Sequence, residues 1–471
     1  MKYHAYSKYK PSGLEWLGDI PTHWDVRRLK TAANYWVSNV DKVASTEEEL
    51  PVRLCNYTDV YYNDQIRPDM GLMETTATEE EIRRFGLLEN DVVITKDSEE
   101  WNDIAVPALV VESAPDFVCG YHLAIVRPNQ QKLLGRFLLR SFQACAINQQ
   151  FQVAATGVTR YGLPKSSIGE AYIVLPPLLE QEAIADFLDA QTAKLDTLLA
   201  KKRELIEKLK EKRAAFISRT VTQGLPSEAA RAAGLNPRPK LKPSGIEWLD
   251  NIPEHWEVKR LKYAATINDE ALPETTEPSF EFMYVDISSV DPIDGIVAQE
   301  QLEFENAPSR ARRIVSEGDT IVSTVRTYLR AISPIRSLHG NVIVSTGFAV
   351  VRPRSIEANF LSYALRETRF VETVVARSVG VSYPAVNVSD LSAIPIPIPP
   401  TAEQRAISDY LDHETTKIDR MIEKVETAIE KLQEYRAALI TAAVTGKIDV
   451  RKAASASSAL TQVGATARVQ T

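Results

Sequence analysis

A long helical segment that occurs twice constrains the fold of this chain more than any other feature. The copies begin at Pro176 and Pro399, and about half of their aligned positions are identical. Apolar residues recur in each copy with alternating steps of four and three, which is the heptad pattern of a coiled coil. Neither copy contains an internal Pro or Gly before Gly224 or Gly446, so each predicts one uninterrupted helix. At about 1.5 Å per residue, some 40 residues make a rod of roughly 60 Å.

The apolar heptad positions define a predicted seam, the stripe of side chains that a coiled coil buries. A seam is buried only against a second helix. Pairing of the two copies within one chain is favoured over homodimerisation through each copy, because the two stripes match in length and register. The predicted seam residues are Leu188, Leu195, Leu198, Leu205 and Leu209 in the first copy, and Leu411, Ile418, Met421, Val425, Leu432 and Leu439 in the second.

A short motif also occurs twice, once ahead of each long helix. Residues 8–30 and 240–262 are identical at 16 of 23 aligned positions. The chain is therefore a tandem duplication of a short motif, a mixed region and a long helix. The predicted boundaries are 1–175 for a first mixed domain, 176–223 for the first long helix, 224–239 for an exposed linker rich in Gly, Pro and Ala, 240–398 for a second mixed domain, 399–446 for the second long helix, and 447–471 for a disordered tail.

Each mixed region predicts an α+β fold. Short runs of aliphatic and β-branched residues predict strands at 91–95, 108–111, 123–126 and 171–175, and again at 320–323, 341–345, 348–351 and 394–398. A helix is expected after each Arg-Pro pair, at 133–149 and 356–375. Identity between the two halves is high in the motifs and helices and low in the mixed regions. A duplicated protein that recognises two different targets would show this pattern.

Composition narrows the class of protein without deciding its partner. A hydrophobic content of 44% and a charged content of 25% are those of a globular protein, and no apolar run is long enough to span a bilayer. Three cysteines, Cys55, Cys119 and Cys145, form no paired motif, which favours a reducing cytoplasm without disulfides or structural zinc. The net charge of −8 argues mildly against a nucleic-acid-coated protein, but a local basic face remains compatible with it.

No catalytic motif emerges from the sequence. There is no glycine-rich phosphate loop, no GxSxG elbow and no HExxH, and no Asn- or Asp-Pro-Pro-aromatic motif of an amino-methyltransferase. His23 and His255 each sit beside a tryptophan in an apolar cluster, which favours a structural role. A binding or scaffolding protein is therefore expected rather than an enzyme.

Two pairs of polar stretches occupy matched places in the two halves. One pair follows predicted strands, at 95–98 and 323–330, and the other surrounds Gly157 and Gly380, at 156–161 and 378–383. Ser, Thr, Arg, Lys and Tyr bond phosphates and base edges, whereas the same residues also build ordinary loops, so DNA contact and loop scaffolding both remain open. The candidate DNA-binding residues are Thr95, Lys96, Thr159, Arg160, Tyr161, Thr324, Arg326, Arg330, Ser382 and Tyr383.

Taken together, these motifs resemble a known family. The runs PPLLEQEAIADFLD and PPTAEQRAISDYLD, each opening a long helix, look like those of the specificity subunits of type I restriction-modification systems. The paired KPSGLEWLGDIPTHW and KPSGIEWLDNIPEHW motifs are similar to the starts of that family's target-recognition domains. The resemblance extends to about residue 449.

The resemblance implies a function and a set of partners. Each mixed domain would be a target-recognition domain that reads one half of a bipartite sequence in double-stranded DNA. The helices would pair as an antiparallel coiled coil, set the gap between half-sites and dock two modification subunits, which carry S-adenosylmethionine. Restriction subunits would join them. The chain itself would be non-catalytic, cofactor-free, cytoplasmic and without a membrane partner. The alternative is a coiled-coil scaffold whose mixed domains bind proteins.

Overall fold

The chain divides into two compact units. The computed structural model describes residues 3–45, 49–246, 248–380 and 383–451. Unit 1 combines Met1–Lys202 with Thr427–Thr471, and unit 2 is Arg203–Glu426. Each unit therefore contains one mixed domain and a part of both long helices. None of the helices in the described ranges is both long and apolar enough to cross a lipid bilayer.

The first half of the chain contributes the following elements. The strands are β1 Tyr9–Pro11, β2 Asp19–Pro21, β3 Asp25–Arg28, β4 Ala33–Val37, β5 Leu50–Cys55, β6 Gln65–Ile66, β7 Met73–Ala77, β8 Val92–Thr95, β9 Asp97–Ser98, β10 Pro107–Val110, β11 Phe117–Cys119, β12 Leu123–Pro128, β13 Tyr161–Gly162 and β14 Tyr172–Leu175. The helices are α1 Tyr57–Tyr61, α2 Glu79–Phe85, α3 Gly135–Gln143, α4 Cys145–Ala154, α5 Lys165–Glu170 and α6 Leu178–Gln223.

The second half repeats the pattern. Its strands are β15 Leu241–Ile246, β16 Leu249–Pro253, β17 Glu257–Arg260, β18 Ala265–Ile267, β19 Glu281–Val285, β20 Val290–Asp291, β21 Gly295–Ile296, β22 Glu300–Glu303, β23 Ala311–Ile314, β24 Thr320–Ser323, β25 Ile332–Pro334, β26 Val342–Ser345, β27 Phe348–Pro353 and β28 Pro395–Ile398. Its helices are α7 Ser227–Ala232, α8 Ala358–Leu365, α9 Thr368–Ala376, α10 Val388–Ser392 and α11 Thr401–Val444.

The central sheet of unit 1 is buried on both faces, which explains its unbroken apolar strands. Its order is β4-β12-β8-β10-β6, and β11-β5-β7 form a second sheet. Alternate residues of β8 enter different cores: Val92 and Ile94 pack with the helices, whereas Val93 packs toward the second sheet. A strand covered on both faces needs apolar residues at every position rather than at every other one.

Unit 2 has the same connectivity around its central sheet. The order β18-β27-β24-β25 matches β4-β12-β8-β10, and the parallel pair β19-β26 matches β5-β11. Val322 of β24 packs with the helices, and Ile321 packs on the opposite face. The predicted strands are thus confirmed with shifts of one or two residues, and the α+β fold with its duplicated scaffold is present.

Within each unit, the short repeated motif binds the start of a long helix. In unit 1, Nε2 of His23 lies 2.6 Å from Oε1 of Glu180 at the start of α6, and the buried indole N–H of Trp24 donates to Oε2 at 2.9 Å. In unit 2, His255 contacts Glu403 at 2.8 Å in the same way. Both histidines are therefore held by a carboxylate of the long helix, and their side chains are partly exposed rather than enclosed in an apolar cluster.

The two long helices run antiparallel inside each unit. In unit 1, Nε of Arg436 lies 3.0 Å from Oδ1 of Asp196. In unit 2, Nε of Arg213 lies 2.9 Å from Asp419, while Phe216 packs against Tyr410 with ring centroids 5.4 Å apart. Residues later in α6 contact residues earlier in α11, so the two helices run in opposite directions.

The buried stripe of the helices differs by one residue from part of the predicted seam. Leu188, Leu411, Ile418 and Leu439 are buried, and Leu195, Leu209, Val425 and Leu432 are half-buried. The assignment of Leu198, Leu205 and Met421 was wrong, since these side chains are 42%, 44% and 42% exposed while Leu199, Ile206 and Ile422 are buried instead. Each exposed residue directly precedes an apolar one. Neighbours on a helix point about 100° apart, so only one of each pair faces the core, and apolar spacing alone does not choose between them.

Three other expectations need correction. Each predicted helix after Arg-Pro is two helices, α3–α4 and α8–α9, because extended backbone at Ala144 and at Glu367 interrupts it. The linker 224–239 is not exposed throughout, since α7 lies within it and Leu225 and Ala230 are buried. Residues 447–451 of the predicted tail are ordered: the backbone N–H of Asp449 donates to His4 O at 2.7 Å, and Val450 is fully buried. The remaining tail, 452–471, lies outside the described residues.

Candidate nucleic-acid interface

The predicted polar stretches of unit 1 come together as one surface, here called the first loop cluster (residues 96–98 and 156–161). Strand β9 pairs with β13 in antiparallel register, Ser98 opposite Tyr161. The backbone N–H of Leu163 donates to Lys96 O at 2.8 Å, and Thr156 and Gly162 exchange two backbone hydrogen bonds of 3.0 and 2.8 Å. The two stretches are some 60 positions apart in sequence, so their union depends on the sheet that precedes them.

A glycine makes the turn of this cluster possible. Gly157 has φ +146°, and a Cβ built there would lie 2.0 Å from the carbonyl oxygen of Arg160. No other residue fits such a close approach without moving the backbone. The turn therefore holds Val158, Thr159 and Arg160 out in solvent.

The exposed residues of the first loop cluster carry the chemistry that nucleic acid needs. Arg160 is exposed and lies close enough to Tyr57 to act on the pKa of that residue, which burial raises and the charge of Arg160 lowers. Tyr161 is half-buried on β13. A cationic side chain beside aromatic rings can bond phosphates or base edges and stack on bases.

Thr95 and Lys96 need correction as candidate DNA ligands. Thr95 is fully buried, and its hydroxyl accepts a hydrogen bond from the Val106 N–H at 3.0 Å. Lys96 places Nζ 2.9 Å from Asp97, whose other carboxylate oxygen lies 2.5 Å from Nδ1 of His122. Burial favours a higher pKa for Asp97, but the bonds from His122 and Lys96 outweigh it and lower that pKa. Lys96 therefore neutralises an internal carboxylate.

Unit 2 has an equivalent second loop cluster (residues 323–330, 378–380 and 383). The backbone N–H of Arg326 donates to Pro384 O at 2.8 Å, and that of Val386 donates to Thr324 O at 2.9 Å. The hydroxyls of Thr327 and Ser378 lie 2.7 Å apart. Gly380 has φ +118° and plays the part of Gly157 in its turn.

The side chains of the second loop cluster fall into two groups. Arg326 stacks its guanidinium over the ring of Tyr383, 5.0 Å from the centroid, and Tyr383 is 62% exposed. Arg330 is also exposed. Thr324 does not present its hydroxyl outward, because it is buried and donates to Gly347 O at 2.9 Å. Ser382 lies outside the described residues.

Backbone strain marks the second loop cluster. Arg326 and Arg330 have φ +54° and +53°, a left-handed backbone conformation that residues other than glycine seldom adopt. They flank one turn of 3₁₀ helix, Thr327–Leu329, which carries the exposed Tyr328. Strain of this kind persists only where surrounding contacts enforce it, and it concentrates at functional sites.

Sequence reasoning missed several aromatic side chains near the clusters. Tyr62, Trp101 and Tyr121 are large, exposed rings of unit 1. The run Tyr57 to Tyr62 holds three tyrosines in six residues, which was the available signal. Exposed rings give sequence-tolerant stacking with bases.

A partly buried ion pair lies at the start of the strand that leads to each loop cluster. Arg127 binds Asp91 through two bonds of 2.7 Å, and Arg352 binds Asp319 through bonds of 3.0 and 2.9 Å. Each aspartate directly precedes the strand that leads into the cluster, β8 or β24. These pairs explain the matched Asp and Arg-Pro positions of the two halves as scaffold. Within the described ranges, no three His, Cys, Asp or Glu side chains converge as a metal site would need.

Comparison with known proteins gives a consistent result. The family model for the type I restriction modification DNA specificity domain matches residues 75–208 and 253–431, about two thirds of the chain. The MjaX specificity subunit of Methanocaldococcus jannaschii is 23% identical over 92% of this chain and 96% of its own length. The type I restriction enzyme EcoDI specificity subunit of Escherichia coli is 23% identical over 60% of this chain and 64% of its own.

A solved structure has the same fold. One chain of a structure described as the basis of complex assembly and conformational transition of the type I R-M system aligns with a TM-score of 0.64 and 16% identity, covering 90% of this chain and 98% of that chain. With the family model matching well over half of its residues, the chain belongs to the type I restriction modification DNA specificity family.

Proposed function

We propose that this chain is the DNA-recognition subunit of a type I restriction-modification complex, in which each mixed domain recognises one half of a bipartite target through its loop cluster. The observation that carries the proposal is the duplicated site: two equivalent scaffolds end in loop clusters at the same place, with different exposed or half-buried side chains. Arg160 and Tyr161 occupy one cluster, and Arg326, Arg330 and Tyr383 the other. Two domains of one fold with different contact residues recognise two different sequences. Family membership supports the same role.

The acidic net charge is compatible with this role. Specific base contacts need only a few side chains, and each good bidentate contact contributes about 1–3 kcal/mol of discrimination. Much of the phosphate neutralisation can come from other subunits of the complex, which would let this chain remain acidic.

The long helices serve assembly and spacing in this proposal. Leu198, Leu205 and Met421 expose apolar area on α6 and α11, which suits contact with two modification subunits. Those subunits bind S-adenosylmethionine and methylate DNA, restriction subunits join them, and this chain contributes no catalytic residue or cofactor. A scaffold that binds only proteins through its mixed domains would not discriminate DNA sequences in the experiments below.

Reciprocal substitutions test the site assignment. Co-expressed with modification subunits, Arg160→Ala is expected to lose or relax methylation at one half-site and Arg326→Ala at the other. A lost specific contact of about 1–3 kcal/mol corresponds to roughly 5–150-fold in binding to the intact target. Arg83→Ala, an exposed arginine at the end of α2, is the matched control and should change neither half-site. Equal losses at both half-sites from either variant, or none, would contradict the assignment.

A paired deletion tests the spacing role. Residues 201–207 of α6 lie between the ion-pairing positions 196 and 213, and residues 425–431 of α11 lie between 419 and 436. Deleting both segments removes seven residues from each helix and keeps both ion pairs. At about 1.5 Å per residue the rod shortens by about 10 Å, or about three base pairs. The methylated motif should keep both half-sites and lose about three base pairs of gap, whereas an unchanged gap would refute the spacing role.

A further inference from the structure

Unit 2 contains a cavity of about 450 Å³ where its mixed domain meets its segments of the long helices. Its charged lining includes Arg213 of α6, Asp412 of α11, and Arg336, Arg366 and Asp294 of the mixed domain. None of the described residues of the second loop cluster line this cavity, although Arg330 lines a second pocket that shares Arg213 and Arg366 with it.

Arg366 is the uncompensated group of this cavity. Its Nε donates to Ser362 O at 3.2 Å, and its guanidinium carbon lies 4.8 Å from the centre of the Tyr363 ring. Its Nη2 is buried and has no hydrogen-bond partner among the described residues. Burial lowers the pKa of Arg366 to about 10; Arg213 and Arg336 also lower it, whereas Tyr363 and Asp412 act in the opposite direction. The group still carries its charge at neutral pH, and a buried charge without a partner is costly.

The other charges of the lining are already paired, with one exception. Arg213 binds Asp419 at 2.9 Å, and Arg336 binds Asp412 at 2.8 Å. Asp294 is exposed, and its carboxylate makes no hydrogen bond or ion pair within the described part of the chain. The lining therefore leaves Arg366 with unused donor capacity.

The duplicated half shows what fills the corresponding place in unit 1. There the carboxylate of Asp64 accepts hydrogen bonds from Gln143 at 3.0 Å, from Arg436 at 3.0 Å and from Arg140 at 3.4 Å. A carboxylate thus ties the mixed domain of unit 1 to its segment of α11.

The same positions differ in unit 2. With the constant offset of 223 that aligns the long helices, Gln143 corresponds to Arg366 and Arg436 to Arg213. Asp64 precedes β6 beside β10, as Asp294 precedes β21 beside β25, the counterpart of β10. In unit 2 the site gains a cation at 366, while its aspartate stays exposed and unpaired. No carboxylate of unit 2 bonds Arg366 as the Asp64 carboxylate bonds Gln143 and Arg436 in unit 1.

We propose that this cavity of unit 2 binds a small oxyanion of the phosphate or carboxylate class, held by Arg366 and by the Nη groups of Arg213, whose bond to Asp419 uses only Nε. The planar guanidinium of an arginine matches the paired oxygens of both groups. The bound anion takes the place of the Asp64 carboxylate and ties the mixed domain of unit 2 to its segments of the long helices.

Calorimetric titration of the full chain with inorganic phosphate, and separately with acetate, at constant ionic strength in chloride tests the proposal. Saturable one-to-one binding of at least one anion is expected, and whichever binds more tightly identifies the preferred class. Arg366→Gln should weaken binding at least tenfold. Arg366→Lys keeps the positive charge but loses the paired N–H donors of the guanidinium, so it should also weaken anion binding. This variant replaces Arg366→Gln in the test if the glutamine variant does not fold. Gln143→Ala, the matched change in unit 1, should leave it unaltered.

Two results would overturn the proposal. One is the absence of saturable binding of either anion to the unaltered chain. This includes the case in which only Asp294→Asn binds the anions, because the carboxylate of Asp294 would then be the natural occupant of the cavity. The other is unchanged binding in a folded Arg366 variant.

Discussion

Alanine substitutions at the adjacent residues Leu205 and Ile206 separate the two faces of α6. Apolar spacing alone favours Leu205 in the buried stripe, whereas the structure buries Ile206 and leaves Leu205 44% exposed. The two variants are matched in helix position and remove the same number of carbon atoms. Their effects on stability and on assembly should be opposite.

The expected magnitudes follow from burial. Ile206→Ala removes three carbon atoms from a side chain that is 7% exposed, which costs about 2.4 kcal/mol at about 0.8 kcal/mol per buried CH₂. The cavity left behind raises the loss to about 3 kcal/mol in the free energy of unfolding. Leu205→Ala removes a side chain that is little more than half buried and leaves no enclosed cavity, so its cost is about 1 kcal/mol.

The stability of both variants is measured by urea unfolding, monitored through the helical circular dichroism signal. Their assembly with modification subunits is measured by size-exclusion chromatography. Ile206→Ala should lower the unfolding midpoint well below that of Leu205→Ala, and Leu205→Ala should be the variant that weakens assembly. Leu198→Ala and Leu199→Ala repeat the comparison one heptad earlier. Equal losses of stability, or a larger loss for Leu205→Ala, would refute the observed register.

Other substitutions test the local structure. Gly157→Ala places a Cβ 2.0 Å from a backbone oxygen, so it should abolish recognition of one half-site while the helical signal stays unchanged; normal methylation would contradict this. Because the pKa of Asp97 is lowered in the folded chain, its ion pairs stabilise the fold fully above the unfolded pKa of about 3.9. This stabilisation is lost as the pH falls through the lower pKa of the folded state. The unfolding free energy of Asp97→Asn should therefore decline less on acidification than that of the unaltered chain. Glu180→Ala strands the buried indole N–H of Trp24 and should cost about 1–3 kcal/mol more than Glu403→Ala, whose neighbouring tryptophan already lacks a partner; equal unfolding midpoints would count against this.

Much of the fold followed from local pattern in the sequence. The duplicated motifs, the strands of the central sheets and the two long helices each have a signal within a few residues of the element itself. Val92 to Ile94 are apolar at every position because both faces of the sheet are covered. The helix of 46 residues needed only its heptads and its lack of glycine and proline.

The site depended on contacts that local pattern does not encode. Thr95 and Thr324 look like exposed hydroxyls at strand ends, yet both are buried and bonded to distant backbone. Lys96 looks like a phosphate ligand until Asp97 and His122 come beside it. The choice between adjacent apolar residues in the long helices likewise depended on the partner surface.

Methylation mapping shows directly whether the two mixed domains recognise DNA sequence. The unaltered chain is co-expressed with its modification subunit in a methylation-free host, and genomic DNA is sequenced for modified adenines. One split motif is expected, with two short and different half-sites separated by a fixed gap. A soluble complex that modifies no adenine, or modifies adenines without a bipartite motif, would contradict the claim that the two mixed domains recognise DNA sequence.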